Sequence, residues 1–449
     1  MKNIIRIGNG QGFWGDSIDA PVNLSKGGPL DYLTLDYLAE VTLSIMQRQK
    51  LKNPSGGFAG DFITLIKRIM PEIQDTRLKV ITNAGGVNPI ACRNQLLKLC
   101  DETANKIKIG VIQGDNIYPY LQQYRKKGVS FDNTDNGKSF NDIEDKVYSA
   151  NVYINSFTIS KALELGAQIV LAGRVSDPGL TLGPCIYEYG WKQDEFDRIA
   201  AGTLAGHIIE CGAQCTGGNF SNWKDVPDLA NIGYPIIEMK ADGKFIITKH
   251  KGTGGLVNGE SVTEQVLYEM GDPKNYISPD VCVDFTSFTL KDKGDNRVEI
   301  KGVKGSESTD TYKVSISYFA GYKASGQLTV SGPDAYEKAQ LTADIIWKRL
   351  KKSGYQFDAT STEYLGISSC HGDINPVPSK INEVVLRLGV KDQEKDKVNR
   401  FGMEIAPVIT SGPPGITGFS GGRPKAQEIV AYWPTLIPKE LIKTTVDVI

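Results

Sequence analysis

Long apolar runs are missing from this 449-residue chain. No stretch approaches the roughly 18 apolar residues that a membrane-spanning helix needs, so no membrane role is expected. The opening residues, MKNIIRIGNGQGFWGD, offer only Ile4 to Ile7 as an apolar core. Arg6 breaks that core and glycines follow it, which does not read as a secretion signal. A charge excess is missing too. With 51 basic and 52 acidic residues the net charge is −1, so nothing draws the chain to nucleic acid or to an anionic membrane. Histidine is scarce: His207, His250 and His371 are all there is, which leaves a zinc site few ligands. The seven cysteines are an odd number, and without a secretion signal the expectation is free thiols in a reducing, cytoplasmic compartment.

Glycine, by contrast, is plentiful. Its 48 residues are about one in nine, and they fall in short motifs directly after apolar runs rather than in repeats or linkers. A glycine at a strand end lets backbone N–H groups face a ligand without a side chain in the way. This distribution favours an enzyme or a ligand-binding protein over a structural one. Hydrophobic residues make up 40 % and charged residues 23 %, as in an ordinary globular protein with a sizeable core. At about 150 residues per domain the length suits two or three domains.

Residues 1–222 alternate strand and helix. Strand-like runs at Ile4–Ile7, Lys79–Thr82, Ile107–Ile112 and Gln168–Ala172 are separated by helical patterns at 31–49, 61–70, 89–100 and 150–165. This predicts a mostly parallel sheet with flanking helices. Residues 223–449 show more alternation, with strand-like runs at 235–239, 245–249, 281–290, 298–302, 313–329 and 383–389. Helices are expected there at 261–270, 335–352 and 392–406, the first opened by a Ser261/Glu264 capping box. The whole reads as α/β, with an N-terminal parallel-sheet part and a C-terminal α+β part.

Each early strand run ends in a polar turn: Gly10, Gly12 and Asp16; Asn83, Gly85 and Gly86; Gly114, Asp115 and Asn116; Arg174 and Asp177. In open parallel sheets ligands bind at the carboxyl ends of strands, so these turns are candidate ligand contacts. Gly10, Gly12 and Gly15 match the dinucleotide fingerprint in form, but that motif needs a helix opening on the loop, and here a helix is expected only near Asp31. Arg174 is either a clamp on a substrate carboxylate or the partner of Asp177 in a structural pair. In GHIIECGAQC, His207 and Glu210 share a helix face and suit general acid–base work. Cys211 and Cys215 share one as well if the helix continues, without the second pair a zinc site wants. In KHKGTGG, Lys251, Thr253, Gly254 and Gly255 suit an anion such as phosphate. Cys370–His371 reads as structural, and Arg423, in the Gly/Pro-rich segment 411–424, suits a ligand or a subunit interface.

Six ordered blocks, IGNGQGFWGDSIDAP, VITNAGGVNP, GRVSDPGLTLGP, GHIIECGAQCTGGNF, KGTGGLVNGESVTEQVLYEMGDPKNYISPDV and GFSGGRPKAQEIVAYWPTLIPKE, resemble the acyclic terpene utilisation family AtuA from residue 5 to about 440. The resemblance implies breakdown of acyclic terpenes through branched acyl-CoA thioesters, with no catalytic residues carried over. The first reading is therefore a cofactor-independent acyl-CoA lyase or hydratase, a homo-oligomer with Glu210 or Asp177 as base and His207 as acid. A non-catalytic binding or assembly protein of such a pathway is the second, and a nicotinamide-dependent oxidoreductase the third.

Overall fold

A computed structural model describes all residues except 1, 39–41, 76–77, 368, 375–376, 378–379 and 419–420. Part of the Gly/Pro-rich segment 411–424 therefore lies outside the described residues. In chain order the first strands are β1 (Ile5–Asn9), β2 (Tyr32–Leu35), β3 (Lys79–Thr82), β4 (Ile109–Gln113), β5 (Val147–Val152), β6 (Ile169–Leu171), β7 (Ile236–Met239) and β8 (Phe245–Thr248). They are followed by β9 (Tyr276–Ile277), β10 (Cys282–Asp284), β11 (Thr289–Asp292), β12 (Val298–Lys301), β13 (Lys304–Ser306) and β14 (Thr311–Ser331). The last are β15 (Ala359–Leu365), β16 (Glu383–Asp392), β17 (Gln427–Pro438) and β18 (Thr445–Val448). The chain forms two compact units, one of residues 1–317 with 432–449 and one of residues 318–431.

The larger unit is built on a ten-stranded sheet in the order β11-β12-β8-β7-β1-β2-β3-β6-β4-β18. Strands β1, β2, β3, β6 and β4 run parallel. Antiparallel strands extend this centre on both sides, β7, β8, β12 and β11 beyond β1 and β18 beyond β4. The register pairs Asn9 with Thr34, Leu35 with Thr82 and Thr82 with Leu171, so the carboxyl ends share one edge. A second, three-stranded antiparallel sheet runs β13-β10-β9. The α/β architecture expected from the alternation is present.

Several local expectations need correction. The helix expected over 31–49 is a strand followed by a helix, β2 and then Thr42–Lys52. All four residues of β2 are buried, and a strand covered on both faces reads as a continuous apolar run, without the period-two signal. A helix already starts at Ala20, with proline in its first turn, rather than near Asp31. The helix expected over 150–165 is shortened to Phe157–Glu164 because β5 takes Val147–Val152. The helix placed at 261–270 runs Gly259–Leu267, with Asn258 as cap and Ser261 closing the box. Glu264 is engaged elsewhere, accepting from the Ser221 amide at 3.1 Å.

In the smaller unit β16 lies antiparallel between β15 and β14, and β17 completes the order beyond β14. Leu328, Val330, Leu386 and Leu388 turn to one face and pack with Ala339, Ile346, Phe401 and Ile405 of the helices Ala335–Lys352 and Lys395–Ile405. The alternation of β14 and β16 follows from that one-sided burial. Lys323, Ser325 and Gln327 are exposed between the buried Ala324, Gly326 and Leu328.

Candidate active site

The turns at the carboxyl edge of the parallel strands are joined by side chains. Asn83, fully buried after β3, donates to Asp36 Oδ1 at 2.6 Å and accepts from the Tyr37 amide at 2.7 Å. Asp36 also receives the Leu38 amide at 2.9 Å. After β4, Asp115 Oδ2 accepts the Arg174 amide at 2.7 Å and Asn151 Nδ2 at 2.9 Å. Asn116 caps the next turn through the Tyr118 amide at 3.1 Å. After β1, Asp16 accepts from the Gly12 amide at 3.1 Å and from the Tyr234 hydroxyl at 2.6 Å.

The glycines let backbone segments approach one another. A Cβ at Gly12 would stand 2.8 Å from the carbonyl carbon of Cys211, and one at Gly85 would stand 2.6 Å from the Ala172 oxygen. Gly114 has φ +116° with the Lys443 oxygen 2.4 Å from where a Cβ would be. Gly10 donates its amide to Thr34 at 3.0 Å. Gly86, at φ +52°, faces the Met46 sulfur.

Arg174 is 2 % exposed. Its guanidinium donates to the Leu38 carbonyl and to Asp177 Oδ1, each at 2.5 Å, and lies 4.1 Å from the centre of the Tyr153 ring. The sequence left a substrate clamp and a structural pair open for this residue, and the geometry is that of the pair. Asp177, with its side chain 38 % exposed, carries the charge outward to a cavity of about 660 Å³. His207 and Glu210 reach the same cavity from the end of the helix Phe196–Ile209. Lys313, Tyr153, Tyr276, Tyr432 and the carboxylates Glu269 and Asp135 also line it.

The His207 ring packs across Tyr276 and Phe285, which stack on each other, with centroids 5.3 and 5.2 Å away. Its Nε2 lies 3.2 Å from the Val266 carbonyl, an acceptor only, which keeps a proton on that nitrogen. Nδ1 is thereby turned to Glu210 Oε1 at 3.5 Å. Burial disfavours the imidazolium, but the hydrogen bond and charge of Glu210 outweigh it, and the histidine titrates above its ordinary range. Burial pushes Glu210 up to about 7 against the opposing pull of His207, with the Asp177 charge adding to the rise. Asp36 is likewise pushed up to about 7, by burial first and Asp177 second, and Asp115 up to about 6 by burial. A buried histidine and a buried carboxyl 3.5 Å apart, with the Asp177 carboxyl on the same cavity, suit acid–base chemistry.

Other candidates lie apart from this cavity. The helix does not continue through Cys211 and Cys215. Gly212, at φ +59°, interrupts it and a 3-10 turn follows. Burial raises both thiols, Cys215 up to about 12, so neither is poised as a thiolate. Lys251 and Thr253 line a different cavity of about 800 Å³ with Arg6, His250 and Arg297. The amides of Gly254 and Gly255 already donate to the Asn231 and Pro227 carbonyls, each at 2.8 Å. Cys370 and His371 are exposed. Among the described residues no group of three or more His, Cys, Asp or Glu side chains is placed to hold a metal ion, and no helix is long and apolar enough to cross a membrane.

Asp36 and Lys313 escaped the sequence reading. Asp36 follows β2, so recognising that strand would have placed it on the same edge as the other turns. Lys313 sits in an alternating strand and carries no local signal.

The fold and cavity define an α/β protein with a buried acid–base pair beside a ligand-sized pocket. The acyclic terpene utilisation family protein AtuA model matches residues 5–448, and the chain belongs to that family. No curated protein and no solved structure matches it.

Proposed function

We propose that this AtuA-family protein is a cofactor-independent lyase or hydro-lyase acting on branched acyl-CoA thioesters in acyclic terpene breakdown. The observation that carries the reading is the convergence of Asp177, His207 and Glu210 on one cavity, with burial pushing Glu210 up to about 7. In hydration, Asp177 takes a proton from water as the hydroxyl oxygen attacks the β-carbon of a conjugated acyl thioester. The proton shared by His207 and Glu210 goes to the α-carbon. The reverse sequence eliminates water. Arg174 holds Asp177 in place. Ile277, Pro279 and Leu436 offer the branched chain an apolar wall, and the Lys313 ammonium offers the carbonyl oxygen a positive charge.

A reducing cytoplasm suits the seven unpaired cysteines, of which only Cys370 is exposed. The test is mass-spectrometric monitoring of 3-hydroxy and α,β-unsaturated branched acyl-CoAs with wild type, Asp177→Asn and His207→Asn. Turnover in wild type that collapses in both folded variants supports the reading. Turnover that persists in both, or none with any substrate, counts against it.

A further inference from the structure

A further cavity, of about 920 Å³, lies along the smaller unit's sheet, lined by exposed residues such as Lys323, Ser325 and Gln327 and by Gly326, Ile405 and Pro424. Five cations line it, Lys323, Arg387, Lys391, Arg423 and Lys425, against the single carboxylate of Glu363. Arg387 is committed to Glu363. Among the described residues the other four cations have no carboxylate partner.

The strand register places two of them in direct conflict. Lys323 of β14 and Lys391 of β16 are Cα partners and both are exposed. Like charges directly opposite on one sheet face repel. The adjoining row, Ser325, Gly389 and Ser361, carries only small groups, so the floor beside the lysines is open. Arg423 and Lys425 come from a chain segment anchored at the residue between them. A Cβ at Gly402 would stand 2.0 Å from the Pro424 oxygen, and one at Gly326 would stand 3.0 Å from its Cγ. The Ala426 amide donates to Asn399 Oδ1 at 2.9 Å. The two cations are thus held at the cavity by packing.

We propose that this cavity is a binding site for a small molecule carrying two or more phosphate groups. An anion between Lys323 and Lys391 turns their repulsion into shared attraction, and the Arg423 fork suits a phosphate held at two oxygens. The volume is that of a small-molecule pocket. No aromatic side chain is among the lining residues, which removes the stacking platform that single-stranded nucleic acid uses. The proposal does not depend on the reaction assigned to the acid–base cavity.

The test is calorimetric titration of the full chain at low salt with inorganic pyrophosphate, adenosine 3′,5′-bisphosphate and adenosine. Saturable binding of either phosphate probe and none of adenosine is expected, and the tighter of the two identifies an inorganic or a nucleotide source. The double variants Lys323→Gln/Lys391→Gln and Arg423→Gln/Lys425→Gln should each bind about tenfold more weakly or worse, with unfolding midpoints no lower than wild type. Absence of saturable binding by both phosphate probes, unchanged affinity in both variants, or binding only of a single-stranded oligonucleotide or anionic vesicles overturns the proposal.

Discussion

The two compact units handle charge in opposite ways. In the larger one, carboxylates are buried in a hydrogen-bonded edge. Burial pushes Asp36 and Glu210 up to about 7 and Asp115 up to about 6, and Arg174 is almost fully enclosed while it holds Asp177. In the smaller one, lysines stand in solvent on an open sheet face, two of them directly opposed. Burial creates groups whose protonation is sensitive to their surroundings, which is what proton transfer needs. Exposure keeps charges fixed and available, which is what anion recognition needs. The contrast argues for chemistry at the first place and binding at the second.

Changes that break the buried arrangement should have the larger effects. Glu210→Gln keeps the shape but removes the shared proton. Turnover of a productive acyl-CoA, followed by mass spectrometry, should fall about 10²- to 10⁴-fold with the fold intact by circular dichroism. Arg174→Met leaves Asp177 and the Leu38 carbonyl without their partner. Urea unfolding should show a loss of about 3 kcal/mol, and Arg174→Lys should recover only part of it, because an ammonium cannot reproduce the planar two-point contact.

The pH dependence sharpens the same point. The Asp36 carboxyl holds its proton to about 7 in the fold, against an ordinary value of 3.8. A group raised in this way contributes stability that is complete below its unfolded value and lost as pH rises through the folded one. Asp115 and Glu210 act in the same sense. Thermal unfolding of wild type should therefore lose stability between about pH 4 and about pH 7. Asp36→Asn should flatten that decline and melt higher than wild type at pH 8. An unchanged slope in the variant would remove Asp36 from the account. The exposed face should give the smallest response, since Lys323→Gln only relieves a solvated repulsion. A gain of a few tenths of a kcal/mol is expected in chemical unfolding at low salt, fading as salt screens it.

The legible parts of the chain were those with a local signal. β3 and the helix Ala335–Lys352 fall where their patterns place them, because each carries a clear run or period bounded by turn residues. β2 was hidden by burial on both faces, and Asp36 was hidden with it. The proximity of His207 and Glu210 is visible as a spacing of three. Their meeting with Asp177 on one cavity is not, since no local pattern links the loop after β6 to the end of a helix some thirty residues later. Lys313, Tyr276 and Tyr432 are more distant still along the chain and reach the cavity only through tertiary packing. Glycine abundance did point to the strand ends, but at Gly12, Gly85 and Gly114 the missing side chain makes room for backbone.

The proposed chemistry requires the His207–Glu210 pair to exchange a proton with the α-carbon of an acyl thioester. Incubating wild type and His207→Asn with branched acyl-CoAs in deuterated water, and following mass at the α-position, tests it most directly. Deuterium should enter the α-carbon with wild type and not rise above background with the variant. Equal exchange in both, or none in wild type across saturated and unsaturated chains, would contradict it.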